Sequence, residues 1–271
     1  MERVARGFDR LAAGYDHAYP RSRALALMRA SARAAWRDAA RPGERWLEVG
    51  CGTGRDAVAL AGDGVHIVAA DIAPAMLARL RARLRGAALA GRVTPVRMGT
   101  MDLGRLGSRR AGQFDGAALL FGPLNYDPAP ERIPPALWRL LRPGGRVVVA
   151  VRNRWCPWEI ATSLLIHPSA RLAFRRLTPG GADTDLAGVR VRMRVFSARD
   201  LARLFAPWFT VRAWRGLCVA LPPYMIADFP RRLPRLERVL AAVEPVVSRL
   251  PVLRGLGDHV LMTLVRRDRA A

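Results

Sequence analysis

The chain has 271 residues, 51% of them hydrophobic, enough to bury one substantial core, and no repeat, low-complexity linker or composition break divides it. Its formal net charge of +23 rests on 45 basic residues, all arginine and spread along the sequence rather than gathered in a tail, which reads as codon bias from a GC-rich genome and disfavours nucleic acid as the partner. Three scattered cysteines, a start without an apolar leader core and the lack of any run of roughly twenty apolar residues lead to the expectation of a reduced, cytoplasmic chain, with no metal site and no bilayer span.

The first element in chain order is an N-terminal helical cover over 1–44. It carries Phe8-Asp9-Arg10-Leu11-Ala12-Ala13-Gly14-Tyr15-Asp16, with Phe8, Leu11 and Tyr15 at helical spacing. A short apolar strand, Arg45 to Val49, then runs into Gly50-Cys51-Gly52-Thr53-Gly54 and a helix from Arg55 to Ala61. Three glycines at alternate positions remove three Cβ atoms, so the backbone can take strained conformations and a ligand can lie against the peptide planes. Glu48 adds a carboxylate at the strand's end.

A second strand, Val65 to Asp71, ends in an acid about twenty residues past the first glycine, where nucleotide-binding α/β folds bind ribose hydroxyls. Asp71 also suits the N-cap of a helix over Ala73 to Leu89, on which Ile72 and Met76 present apolar surface to a base. A third strand, Val93 to Met98, leads into Gly99-Thr100-Met101-Asp102. A fourth, Phe114 to Phe121, precedes Gly122-Pro123-Leu124-Asn125-Tyr126 and should place Leu120 and Phe121 beside the glycine turn, since ligands bind outside the carboxyl ends of parallel strands. The turn Leu141 to Gly145 opens a fifth strand, Arg146 to Val151.

A Gly-x-Gly-x-x-Gly dinucleotide fingerprint fails here, because Arg55 stands at the third glycine position. The pattern Glu48-x-Gly50-x-Gly52-x-Gly54 instead resembles motif I of class I S-adenosylmethionine (SAM) methyltransferases, and the Phe8 to Asp16 entry resembles that of many small-molecule members. The resemblance covers about Phe8 to Val151 and resumes near the C-terminus. It implies an α/β fold with a doubly wound, mostly parallel seven-stranded sheet, Rossmann-like, with helical lid insertions. It also implies SAM as cofactor and an enzyme that transfers its methyl group to a small, partly apolar acceptor. Tyr15, Glu48, Gly50, Cys51, Gly52, Gly54, Asp71, Ile72, Met76, Thr100, Met101, Asp102 and Leu120 are its implied cofactor contacts, with Glu48 toward the methionine ammonium. Thr100 stands where many members carry the acid that accepts the adenine amino hydrogen, so Asp102 or the backbone of Met101 is the substitute.

One domain, 1–271, follows: a SAM-binding core over 45–151, a lid insertion over 152–196, core again over 197–216, a helical insertion over 217–256, and a last strand and tail over 257–271. Trp155, Trp158, Leu164, Leu165, Leu172 and Phe174 suggest an apolar substrate wall in the lid, against the plainer reading of an enlarged core or dimer interface. Arg171, Arg175, Arg176, Arg190, Arg192 and Arg194 cluster around that lid and read as solvated surface. The run Ile160 to Ile166 and the segment Leu233 to Leu250 combine apolar and arginine faces, which fits a peripheral membrane contact or simple packing onto the domain.

For a general base the candidates are Tyr15, Asn125, Glu159 and His167, none with a partner spacing that marks it. His66 and His259 read as structural. Asn125-Tyr126 lacks the two prolines expected of an exocyclic-amino methyltransferase of DNA or RNA. A nucleic-acid methyltransferase using the arginines and a non-catalytic SAM-binding module remain the alternatives. The acceptor atom and the oligomeric state carry no signature in the sequence.

Overall fold

A computed structural model describes residues 1–18, 22–85, 89, 91–109, 111–166, 173–223 and 232–268. Five strands run parallel: β1 (Arg45–Val49), β2 (His66–Asp71), β3 (Val93–Arg97), β4 (Phe114–Leu120) and β5 (Leu141–Arg152). After a hairpin of β6 (Ala182–Asp185) and β7 (Arg190–Met193), the strands β8 (Phe209–Leu217) and β9 (His259–Arg266) complete the sheet. Its order is β3-β2-β1-β4-β5-β9-β8, with β9 antiparallel to both neighbours. The seven-stranded, mostly parallel expectation holds.

Central strands read as continuous apolar runs because helices cover both faces of the sheet. On one face pack α2 (Arg23–Ala39), α3 (Arg55–Gly62) and α4 (Pro74–Leu84), after α1 (Glu2–Leu11). The other face carries α5 (Leu103–Arg109) and α7 (Ile133–Leu140), separated by the short α6 (Pro123–Tyr126). The later helices are α8 (Pro157–Ile166), α9 (Ala198–Phe205), which joins that second face, and α10 (Pro234–Val247).

The amphipathic α2 shows how sequence becomes packing. Ser22 caps it by accepting from the Leu25 N–H at 3.2 Å, and Leu25, Met28, Ala32 and Trp36 fall on its buried stripe. Trp36 meets Trp46 of β1 at 5.9 Å between ring centroids, and Gly116 of β4 is small because a Cβ there would sit 2.4 Å from the Trp46 ring.

Several expected bounds move. α4 stops at Leu84, short of Leu89, and β8 runs on to Leu217 because it keeps pairing with β9 as far as His259. α1 ends at Leu11, and Tyr15 opens a separate 3-10 turn, Tyr15–Ala18, so Phe8, Leu11 and Tyr15 do not share one helix. The 152–196 insertion is only partly helical. Its hairpin seats Leu186, Val189 and Val191 against Val4 and Phe8 of α1, which makes α1 the element it braces.

Strand order reverses direction between β1 and β4, since β2 lies on one side of β1 and the chain's later strands on the other. At such a switch point the connecting loops diverge and leave a crevice at the carboxyl ends of the strands.

Candidate functional site

The crevice is a cleft above the carboxyl ends of β1 and β4, where such sheets bind small ligands. Its floor is the turn between β1 and α3, where Gly50, Gly52 and Gly54 have φ of 75°, 55° and 77°. That left-handed region is cheap for glycine alone. Two of the three also answer to packing: a Cβ on Gly50 would lie 2.3 Å from Pro123, and one on Gly54 2.2 Å from Leu80. Gly52 alone faces open space, with Tyr15 3.8 Å from where its Cβ would be.

Asp71 holds this floor in shape. Its Oδ2 accepts from the Gly52 N–H and its Oδ1 from the Ala73 N–H, each at 2.8 Å. Burial raises its pKa, and the two backbone bonds oppose that rise. Tyr15, Gly50, Cys51, Gly52, Asp71, Ile72, Met76, Thr100 and Leu120 all line the cleft, as expected.

Four expected contacts do not. Glu48 lies behind the loop, 2% exposed, with Oε2 lacking a hydrogen-bond partner. Burial and the nearby Asp56 charge push its pKa well up, while Arg29 opposes them. Gly54 serves as the N-cap of α3. Met101 points to solvent at 56% exposure, and the Asp102 carboxylate turns back to accept the Gly99 N–H at 2.9 Å, capping its own 3-10 turn. Thr100 remains at the wall, but its hydroxyl is spent as a donor to the Asp127 carboxylate.

The catalytic candidates fare differently. Of the candidates among the described residues, Tyr15 alone reaches the cleft. Asn125 is buried elsewhere: its Nδ2 donates to the Arg194 carbonyl at 2.7 Å and its Oδ1 accepts from the Arg152 N–H at 3.1 Å, tying β5 to the residue just after β7. Glu159 is enclosed by Arg152, Arg175 and Arg176. Burial alone would raise its pKa, yet those guanidiniums bring it down to about 2, far too low for a base at neutral pH. His167 lies outside the described residues, as do Arg171 and Leu172.

The apolar lid wall is likewise absent from the cleft. Trp155, Leu164, Leu165 and Phe174 are exposed, and Trp158 turns away to donate its indole N–H to the Val219 carbonyl at 3.2 Å. Cover comes instead from α1, through Met1, Val4 and Phe8. The lid arginines are not uniformly solvated either. Arg176 is 4% exposed and also binds Asp258, whereas Arg190 and Arg192 pair with Asp183 at the surface.

Two further lining residues carry weight: Arg29, which sequence reasoning missed, and Phe121, which it placed beside the glycine turn. Arg29 of α2 donates to Asp56 at 2.5 Å and to the Tyr15 hydroxyl at 3.2 Å, and its guanidinium stacks 4.7 Å from the Phe121 ring centre. The available signal was an arginine on a helix beside Leu25, Met28 and Ala32 of the buried stripe. Phe121, at φ 62°, holds a left-handed conformation unusual for a bulky side chain, fixed by its N–H donating to the Ala150 carbonyl at 3.0 Å. The chain is therefore strained where β4 meets the cleft.

Residues 47–145 match a family model described as a methyltransferase domain. This stretch is similar to a methyltransferase domain. Among curated relatives, a demethylmenaquinone methyltransferase of Beutenbergia cavernae is 38% identical over 123 residues, 44% of this chain and 46% of its own. A ubiquinone biosynthesis O-methyltransferase of Xylella fastidiosa is 33% identical over 140 residues, 51% of this chain and 52% of its own. The chain thus spans about half the length of the curated relatives it matches. A SAM-dependent methyltransferase of Mesorhizobium loti shares the fold at 20% identity and a TM-score of 0.57, over 86% of this chain and 96% of its own. The matched stretch ends at Gly145 inside β5, so both insertions lie beyond it.

Among the described residues no group of three His, Cys, Asp or Glu side chains could hold a metal ion, and no helix is long and apolar enough to cross a membrane.

Proposed function

We propose that this protein transfers the methyl group of SAM to a small, partly apolar acceptor by in-line displacement. The observation that carries the reading is the cleft itself: a glycine floor clamped by Asp71 at the switch point of a stretch that matches a methyltransferase domain.

The residues present fit SAM. Each Asp71 oxygen accepts one backbone N–H and keeps lone-pair capacity for ribose hydroxyls. Ile72 and Met76 supply an apolar wall for adenine, and the open side of Gly52 admits a ligand against the peptide plane. Arg29 and Arg55 are cations on the wall for a carboxylate, and Glu48, short of a partner at Oε2, lies under the loop where a ligand ammonium would favour its charged form. Bound SAM supplies an electrophilic sulfonium methyl. The chain's part is to orient the acceptor and exclude water, which α1 does from above and Phe121 and Tyr126 from the side.

Of the described lining residues, Tyr15 is a phenol whose oxygen already accepts from Arg29 at 3.2 Å. Burial pushes up the Cys51 thiol and the Tyr126 hydroxyl, and Asp71 is engaged by the loop. The acceptor must therefore present a nucleophile that needs no strong base, such as a neutral amine or a ring hydroxyl acidified by its own conjugation. Given the relatives named for menaquinone and ubiquinone biosynthesis, a quinol or phenol ring is the first acceptor class to assay.

Isothermal titration with SAM tests the cofactor site. Asp71→Ala should weaken binding by about tenfold or more, the loss of a charge-assisted pair of hydrogen bonds. Equal affinity in the variant would overturn this placement, and tight binding without turnover on amines, phenols and quinols would leave a binding module instead.

A further inference from the structure

The helix α10 is built inside out. Its two acids face inward: Glu237, 8% exposed, bridges to Arg23 at 3.6 Å, and Glu244, 7% exposed, accepts the backbone N–H groups of Val219, Ala220 and Leu221 at 2.8–3.0 Å. Leu240 and Ala241 pack against the core, but a second set of its aliphatic residues faces outward. Leu236, Val239, Val243 and Val246 are 42%, 59%, 40% and 64% exposed and recur at i, i+3, i+7 and i+10, one stripe of a helix. Leu250 continues the line one turn later, and Val252 stands 82% exposed beyond it. A solvated helix would place these residues the other way round.

The stripe does not end at α10. A shallow apolar groove lined by Trp158, Ala161, Val247 and Leu253 joins it to α8, whose Leu164 and Leu165 are also exposed. The polar residues that flank it are arginines. Arg232, Arg235, Arg238 and Arg249 are all exposed, and among the described residues none of the four forms an ion pair with a carboxylate. Arg249 also borders a second groove with Arg212 and Arg215, so the positive surface continues past the helix.

We infer that α10 is a docking face for an anionic bilayer surface. An apolar arc edged by long cationic side chains matches acyl chains below and acidic headgroups above, since arginine can bury its stem and keep its charge in the headgroup layer. A second copy of this chain matches less well, because the acids that could answer the arginines of α10 are turned inward and a two-fold contact would bring arginine rows together. The inference stands apart from the methyl-transfer reading.

Co-sedimentation of the full chain with vesicles of phosphatidylcholine plus phosphatidylglycerol, against phosphatidylcholine alone, tests it. The expected result is binding to the acidic vesicles, reduced by about tenfold or more in Val239→Asp and Val243→Asp, with SAM affinity unchanged as proof of folding. Arg235→Glu combined with Arg238→Glu should weaken binding and its dependence on acidic lipid. Acidic-vesicle binding that these valine variants leave intact would reduce the effect to net charge and overturn the docking face. So would a stable dimer in light scattering that Val243→Asp dissolves in a chain that ignores vesicles.

Discussion

Two buried glutamates, one on β1 and one in α8, carry opposite perturbations. Glu48, beneath the glycine turn of β1, has a lone oxygen and Asp56 close by, and its pKa is driven up. Glu159, in α8 beside the start of β9, is held by three arginines and driven down to about 2. Both are nearly dry, so burial does not decide which form a carboxyl takes. The partners do. Under the cleft the fold keeps an under-satisfied carboxyl where a cationic ligand group would be favoured. In the insertion it spends a carboxylate to lock α8, the Arg175–Leu177 turn and β9 together through Arg176 and Asp258.

Breaking the second region should cost most. Arg176→Met leaves Glu159 and Asp258 short of their central cation, and urea unfolding should lose about 3–5 kcal/mol. Acid titration of the same network comes next. Because the folded pKa of Glu159 is depressed from 4.5 to about 2, the unfolded state binds more protons between those values. Its stabilisation is thus full above about pH 4.5 and drains as pH falls toward 2, by about 3 kcal/mol in all. Glu159→Gln should lower stability at neutral pH and flatten the curve across that window.

The first region should answer more weakly and with the opposite sign. A carboxyl whose folded pKa is raised holds its proton longer when folded, so its contribution falls as pH rises past its unfolded value. Glu48→Gln should therefore change stability at neutral pH by within about 1 kcal/mol, without the loss that Arg176→Met brings. Unfolding curves that rank the two variants the other way would break the contrast. Least of all should come from the surface that sequence reasoning took for a lid wall. Leu165→Ser, at 82% exposure, should move stability by under about 0.5 kcal/mol and leave SAM affinity unchanged in titration calorimetry.

The parts of the site that were legible are those encoded locally. Alternate glycines and an acid at the end of the next strand are backbone requirements, and neighbouring parallel strands bring Gly52 and Asp71 together wherever that spacing occurs. Asn125, Asp102 and Glu159 misled because a polar side chain announces its chemistry but not its partners. Each turned out to be engaged by backbone or arginine groups, two of the three by groups distant in sequence. Arg29 was missed, and the contact it makes with Phe121 with it, for the converse reason. Both depend on where α2 crosses β4, a distance of about ninety residues along the chain that no periodicity reports.

By itself the sequence determined the sheet, its switch point and the glycine floor, because strand period, glycine conformation and helix caps are properties of a few consecutive residues. Only the tertiary structure decided that the apolar run of α8 stays out of the cleft and leaves its cover to α1, and that α10 hides its acids and shows three of its valines. Both depend on which face of a helix meets the domain. An amphipathic pattern defines two faces of a helix without saying which one another element will bury.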